Sequence, residues 1–403
     1  MSDDTRSYWL WLQKSLGVRS NTAEILSVFG SAKALHEAGG TEWKLSGLFN
    51  PKQIRSLEQN SPEDTLPLQK LCDTNGWQIV TPDRDDYPAL LLTIPDYPAV
   101  IYVWGDLSCL IQAVPIAVVG TRSASPYGVD AAGRLCASLA EAGAVVVSGG
   151  ALGVDSAAHT GALFGGGKTV AVLGCGLSAN YLPGNRPLRE QIALSGAVIS
   201  EYPPETLPTA HNFPIRNRLI SGISFGTVVI EAGERSGSLI TANLALEQGR
   251  DVFAVPGNIT NSSFTGTNKL LRDGAKPVFS ALDILEEYTG FFPGVLKLGG
   301  LEDSLSRVKV KPGGFGNTGR ATAQRKDSPA NAAIPNKPVR RSLPEDTEEN
   351  TRLVYEKLTP EPTHIDDLVR ATGLDPSRVL AALTELELTG YTELTSGKRY
   401  ALI

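Results

Sequence analysis

Six short apolar runs, Ile116–Val119, Ala144–Val147, Val170–Leu173, Ala197–Ile199, Thr227–Ile230 and Val252–Val255, recur through the middle of the chain, most followed by turns of small and polar residues. Runs this short and rich in Val and Ile suit strands covered on both faces. Helix-length segments lie between them, including Gly128–Glu141, Asp155–Phe164, Arg186–Leu194 and Leu239–Gln248. Parallel strands need a crossover of about a dozen residues, usually a helix, so the alternation commits residues 115–288 to an α/β fold with a doubly wound, mostly parallel sheet.

In such a sheet ligands bind beyond the carboxyl ends of the strands. The segments after the six strands are GTRSASPYG, SGGALGVDSAAH, GCGLSANYLPGN, SEYPPET, EAGERSGSLITA and PGN. Glycine lets backbone approach a ligand closely, and Ser, Thr and helix-start amides donate to anionic oxygens, so one phosphate-binding crevice is expected. Arg122, just past the first strand, adds a guanidinium able to grip a phosphate at two points. In HNFPIRNRLISGIS, Arg216, Asn217 and Arg218 fall near a helix start, where cations oppose the macrodipole and need an anionic partner. That partner is either a bound phosphate or an internal carboxylate, Glu201 or Glu231, with Glu231 the simplest partner for Arg218. Asp155 and His159, four apart, read as a helix-face hydrogen bond anchoring a loop or as an acid/base pair. Ser236, Gly237 and Ser238 open a helix, as an anion cradle or as a cap. No nucleophile stands beside a base, so no catalytic residue is assigned.

The flanks differ in kind. Residues 1–70 read as a small helical domain, with breaks at Gly17, Gly30, Gly39–Gly40 and Asn50–Pro51. LGVRSNTAEIL within it partly matches a helix-hairpin-helix, but Arg19 replaces a glycine, which favours a packing role. An extended leader opens the region 71–290. Residues 291–344 hold ten Lys and Arg against three acids, a net +7, and are expected to form a flexible basic linker. Residues 345–403 carry a net −6 and read as three helices and a hairpin, the pattern of a winged helix. Glu385 and Glu387 on its third helix, against Arg378, make it a poor reader of a DNA groove. Cys72, Cys109, Cys136 and Cys175 lack metal-ligand spacing, Cys136 reads as core, and no metal or cofactor is expected. With no apolar run long enough to span a bilayer and an acidic, polar start, a cytoplasmic protein is expected.

Taken together, GTR, SGGAxGxD, LGCG, SEYPP, FPxRNR, EAGxxSGSLITA and AVPG over the central ~220 residues closely resemble the DNA-processing protein A family, also called DprA or Smf. The resemblance implies an extended Rossmann-like fold that binds and protects single-stranded DNA and helps load the RecA recombinase during natural transformation. It also implies a homodimer through that domain, a helical N-terminal domain and a C-terminal winged helix. Carried over motif by motif, Gly120, Arg122, Arg216, Asn217, Arg218, Arg235, Ser236, Gly237 and Ser238 would line the DNA groove. Ser148, Gly149 and Gly150 would supply amides, with Asp155, His159, Glu201 and Glu231 as support. The chain departs from the family at Ser178, where an Asp is usual, and at Arg235, where a Lys is common. Two other readings remain: a Rossmann-like nucleotide hydrolase or phosphoribohydrolase, whose PGGxGTxxE signature is absent here, and a winged-helix transcription regulator.

Overall fold

The computed structural model describes residues 5–299, 301, 347–359, 363–388, 391–395 and 399–402. It divides into two compact units, up to Arg320 and from Ala321.

The first unit begins with helices α1 (Arg6–Leu16), α2 (Thr22–Phe29), α3 (Ala32–Leu45), α4 (Pro51–Gln59) and α5 (Leu66–Thr74). Gly17 and Gly30, both at φ 79°, end α1 and α2, and Gly39 at φ 75° kinks α3. Asn50 caps α4 by accepting from the amides of Lys52 and Gln53, with Pro51 at the first helical position. α5 runs through the boundary expected at residue 70. Trp9, Leu10, Trp11, Leu12, Leu35 and Trp43 are buried with Tyr102, a sheet residue, so the helical layer and the sheet share a core.

The strands are β1 (Gln78–Val80), β2 (Ile101–Gly105), β3 (Pro115–Val119), β4 (Val145–Ser148), β5 (Thr169–Leu173), β6 (Ala197–Ser200), β7 (Gly226–Val229), β8 (Asp251–Ala254) and β9 (Lys276–Pro277). Helices α6 (Pro126–Glu141), α7 (Val154–Phe164), α8 (Arg186–Ser195), α9 (Asn212–Ile223), α10 (Gly237–Glu247), α11 (Thr265–Arg272) and α12 (Leu282–Leu285) connect or succeed them. The strand order is β1-β2-β6-β5-β4-β3-β7-β8-β9. The leader supplies the antiparallel edge, β1 on β2 and β2 on β6, while all other pairs are parallel. β3 to β8 are the six expected strands to within a residue at each end. Their Val and Ile side chains are buried on both faces, most of them in two clusters beneath the two helix layers and Val198 in a smaller one with α8. Each fully buried aliphatic side chain contributes about 1.5–3 kcal/mol.

Residues 291–299, expected to begin the linker, pack instead. Phe292, Val295, Leu296 and Leu298 lie against the α6 side of the sheet, and the Lys297 amide donates to Ala142 O at 2.9 Å. Their apolar content outweighs the glycines that suggested a tether. The remainder of the linker, 302–344, lies outside the described residues.

The second unit contains α13 (Glu349–Lys357), β10 (Thr363–His364), α14 (Ile365–Thr372), α15 (Pro376–Leu388), β11 (Thr392–Thr395) and β12 (Arg399–Leu402). β12 pairs antiparallel with both β10 and β11. The helices close over Val354, Leu358, Leu368, Val379, Leu383 and Leu386, which is winged-helix architecture. Glu385, on the third helix, accepts from Thr351 Oγ1 at 2.6 Å.

Candidate nucleic-acid interface

β3 lies between β4 and β7, and the chain builds the sheet outward from it in both directions, so the carboxyl ends of β3 and β7 flank the topological switch point. A cavity of about 570 Å³ opens there. Val119–Arg122 at the end of β3, Ala151 and Asp155 after β4, one face of α9, and Ser236–Ser238 at the start of α10 line it. Close approach of the turns requires glycine at two places. A Cβ on Gly120 would fall 2.5 Å from Val154 Cγ2, and one on Gly153, at φ 74°, would fall 2.4 Å from Thr121 O. The turns after β3 and β4 are thereby locked together, Val154 N donating to Thr121 O at 3.2 Å.

Phe213, Arg216, Asn217 and Ile220 of α9 recur at helical spacing, and all four face the cavity. Arg216 is 4 % exposed. Its Nη1 donates to Gly149 O at 2.7 Å and also to Val172 O. Gly149 is squeezed between this guanidinium and Asp155: a Cβ there would sit 2.6 Å from Asp155 Oδ2 and 2.7 Å from Arg216 Nη1. Burial lowers the Arg216 pKa, the nearby Asp155 opposing it, and burial raises that of Asp155 against the pull of Arg216. A guanidinium nevertheless keeps its charge in a protein. Its buried Nε has no hydrogen-bond partner.

Arg122 stands at the mouth, exposed, its Cζ 5.0 Å from the centroid of the Phe213 ring. Phe213 leans in turn on Tyr181 from the loop after β5, 5.2 Å between centroids. At the opposite wall Ser236 caps α10, and Asn217 Nδ2 donates to Gly237 O at 3.4 Å. The amino end of α10 therefore faces the same space, with a partial positive charge.

Of the expected site residues, Gly120, Arg122, Arg216, Asn217, Ser236, Gly237 and Ser238 come together here, with Asp155 beside them. Ser148, Gly149 and Gly150 lie buried beneath: Ser148 Oγ donates to Val118 O at 2.7 Å, and Gly150 takes φ 67°. Arg235 is exposed and does not line the cavity. Arg218 is also absent from it, because two residues of helix turn a side chain by about 200° relative to Arg216. It pairs not with Glu231 but with Glu201, Nη1 to Oε2 at 2.8 Å and Nη2 to Oε1 at 2.7 Å, and with Asp96 at 2.9 Å. Glu231 is buried behind the strand end, its Oε2 accepting from the amide and hydroxyl of Ser125. Asp155 and His159 do not bond each other: Asp155 accepts from Ala151 N at 3.2 Å, and His159 Nδ1 meets Thr169 Oγ1 at 2.7 Å. Ser178 is exposed in the loop after β5 and does not line the cavity.

Sequence reasoning passed over Phe213, Tyr181 and Asp96. Phe213 was legible as the residue one turn before Arg216; the other two come from distant loops. Only some of the strand-end turns build the cavity. PGN after β8 is tied to Asn268, and the Glu201 turn after β6 serves Arg218.

Comparison with known proteins bears on this geometry. The family model described as DNA recombination-mediator protein A matches residues 78–289, more than half the chain. The chain belongs to the DNA recombination-mediator protein A family. The DprA winged helix domain model matches residues 338–398. Protein Smf of Synechocystis sp. is 36 % identical over 326 residues, 80 % of this chain and 79 % of that one. DNA processing protein DprA of Bacillus subtilis is 43 % identical over 201 residues, 50 % of this chain and 68 % of that one. The X-ray structure of DNA processing protein A from Streptococcus pneumoniae shares 36 % identity at a TM-score of 0.63, covering 70 % of this chain and 97 % of that chain. The extended Rossmann-like sheet and winged helix expected of a DprA relative are therefore both present. Among the described residues no helix is long and apolar enough to cross a membrane.

Proposed function

We propose that this member of the DNA recombination-mediator family holds single-stranded DNA in the switch-point cavity by its backbone, without turning it over. The observation that carries this is the guanidinium of Arg216, kept almost wholly buried at the cavity floor with its Nε unpartnered. Holding a cation out of water is costly, and a phosphate in the cavity would set a negative charge against it. Arg122 at the mouth and the amino end of α10 supply further positive potential along the same opening. Phe213 and Ile240 offer apolar faces to unstacked bases, surfaces that the stacked interior of a duplex does not reach. The one carboxylate lining the cavity, Asp155, is tied to Ala151 N and stands beside Arg216, which suits a scaffold better than a general base. By analogy with the family, we further propose that the cytoplasmic protein works as a homodimer through its Rossmann-like domain, shields incoming single strands and passes them to RecA during natural transformation.

The test is competition between single-stranded and duplex DNA of equal length at fixed salt, with wild type and Arg122→Ala. Preference for the single strand, weakened by the substitution, is expected. Equal affinity for both forms, or a variant that binds as wild type, overturns the reading.

A further inference from the structure

Arg216 and Arg218 occupy opposite sides of α9, and the far side is held by a chain of charges that never touches the cavity. Arg218, 3 % exposed, meets Glu201 through two hydrogen bonds and donates Nε to Asp96 Oδ2 at 2.9 Å. The same Asp96 oxygen accepts from Arg19 Nε at 2.9 Å, and Arg19 sits at φ 64° in the turn between α1 and α2. Gln13 of α1 donates to the backbone oxygen of Glu201 at 2.9 Å while accepting from Tyr102 Oη–H at 2.7 Å. The helical domain thus reaches α9 through two acidic residues, Asp96 by its carboxylate and Glu201 by its backbone oxygen.

A fork-to-fork guanidinium–carboxylate pair allows one relative orientation, and buried pairs of this kind specify geometry more than they add stability. The lever is short. Turning α9 by about 20° would carry side chains on its ~5–6 Å rim by about 2 Å, beyond the tolerance of a hydrogen bond. We propose that Asp96 and Glu201, backed by Arg19 and Gln13, are positioning residues for DNA binding. They fix the rotation of α9, so the helical domain sets the affinity of a cavity it does not enter. This rests on the cavity being the single-strand site.

The sign of one substitution separates this from plain electrostatics. Asp96→Asn removes a negative charge from the neighbourhood of a polyanion site, which by charge alone tightens binding. Loosened positioning weakens it, by about 2- to 30-fold for a residue acting through such a network. The number of phosphates neutralised stays the same, so the salt slope is unchanged. The assay is fluorescence anisotropy of a labelled oligothymidylate with the full chain at several salt concentrations, with thermal melting as the folding check. The Asp96 side chain is 21 % exposed, so Asp96→Asn should fold where the buried Glu201→Gln is at greater risk. Asp96→Glu should recover most of the affinity. The double variant Arg19→Ala/Asp96→Asn should bind no worse than Asp96→Asn, because both losses act through one contact. Binding by Asp96→Asn at or above wild-type affinity, a shallower salt slope, or additive losses in the double variant overturns the proposal. If Arg122→Ala also leaves binding untouched, the cavity assignment itself has failed; if Arg122→Ala weakens it as expected, only the positioning role is lost.

Discussion

Arg122→Ala is the sharpest probe of the cavity, because the residue contributes little to the fold and much to the proposed ligand. Within the protein its side chain rests against the Phe213 ring, 5.0 Å away, and an exposed cation–π pair is worth about 0.5–1 kcal/mol. The melting temperature should therefore shift by at most a few degrees. On the binding side, a charge-assisted phosphate contact is worth about 1.5–3 kcal/mol, which is about 10- to 150-fold in affinity. Each phosphate neutralised on a single strand adds about 0.7 to the steepness of log K against log salt, so the variant should be shallower by that amount. Between ~50 and ~200 mM salt the gap between wild type and variant should then narrow by about 2.6-fold. A fluorescence titration at several salt concentrations reads both quantities at once. A variant with wild-type slope, or one whose loss is confined to a single base sequence, refutes the view that Arg122 meets the backbone.

Three further outcomes are expected from the packing. Gly128→Ala would place a Cβ 2.1 Å from Glu231 Oε2, a carboxylate pinned by Ser125, and should cost about 1–3 kcal/mol; Gly237→Ala, with open space around it, should melt within a degree or two of wild type. Burial lowers the His159 pKa from 6.5 to about 3, so the folded protein keeps it neutral while the unfolded chain takes up a proton below 6.5. Its contribution to stability is whole above pH 6.5 and is lost progressively between 6.5 and 3, by about 2.7 kcal/mol at pH 4.5; urea titrations of His159→Gln across that range should show a flatter acid limb, and an unchanged limb would mean the imidazole is not held neutral. A chain ending at Arg320, the boundary of the first compact unit, should keep its single-strand affinity within about 3-fold, since the stretch removed holds 13 acidic against 11 basic side chains and offers no net attraction for phosphate; a loss beyond about tenfold would place essential contacts in residues 321–403.

The amino-acid sequence by itself determined the class of fold and the sheet end at which the cavity opens. Short Val/Ile runs split by helices leave few ways to bury apolar surface other than a parallel sheet covered on both faces, and every strand predicted from them exists within a residue at each end. Glycines at strand ends marked where backbones meet, and FPIRNR marked the helix that carries Arg216 and Asn217. What only the tertiary structure decided was which charges are free to act. Arg216 and Arg218 are two letters apart and look alike in the sequence, yet one lines the cavity and the other is spent on Glu201 and Asp96. Asp96 lies 122 residues from Arg218, and pairing at that distance is set by the return path of the chain. The same holds for residues 291–299, whose scattered apolar side chains gain a partner only because the end of α6 waits beneath them. Local periodicity is written in neighbouring letters; the partner of a buried charge is written in the topology.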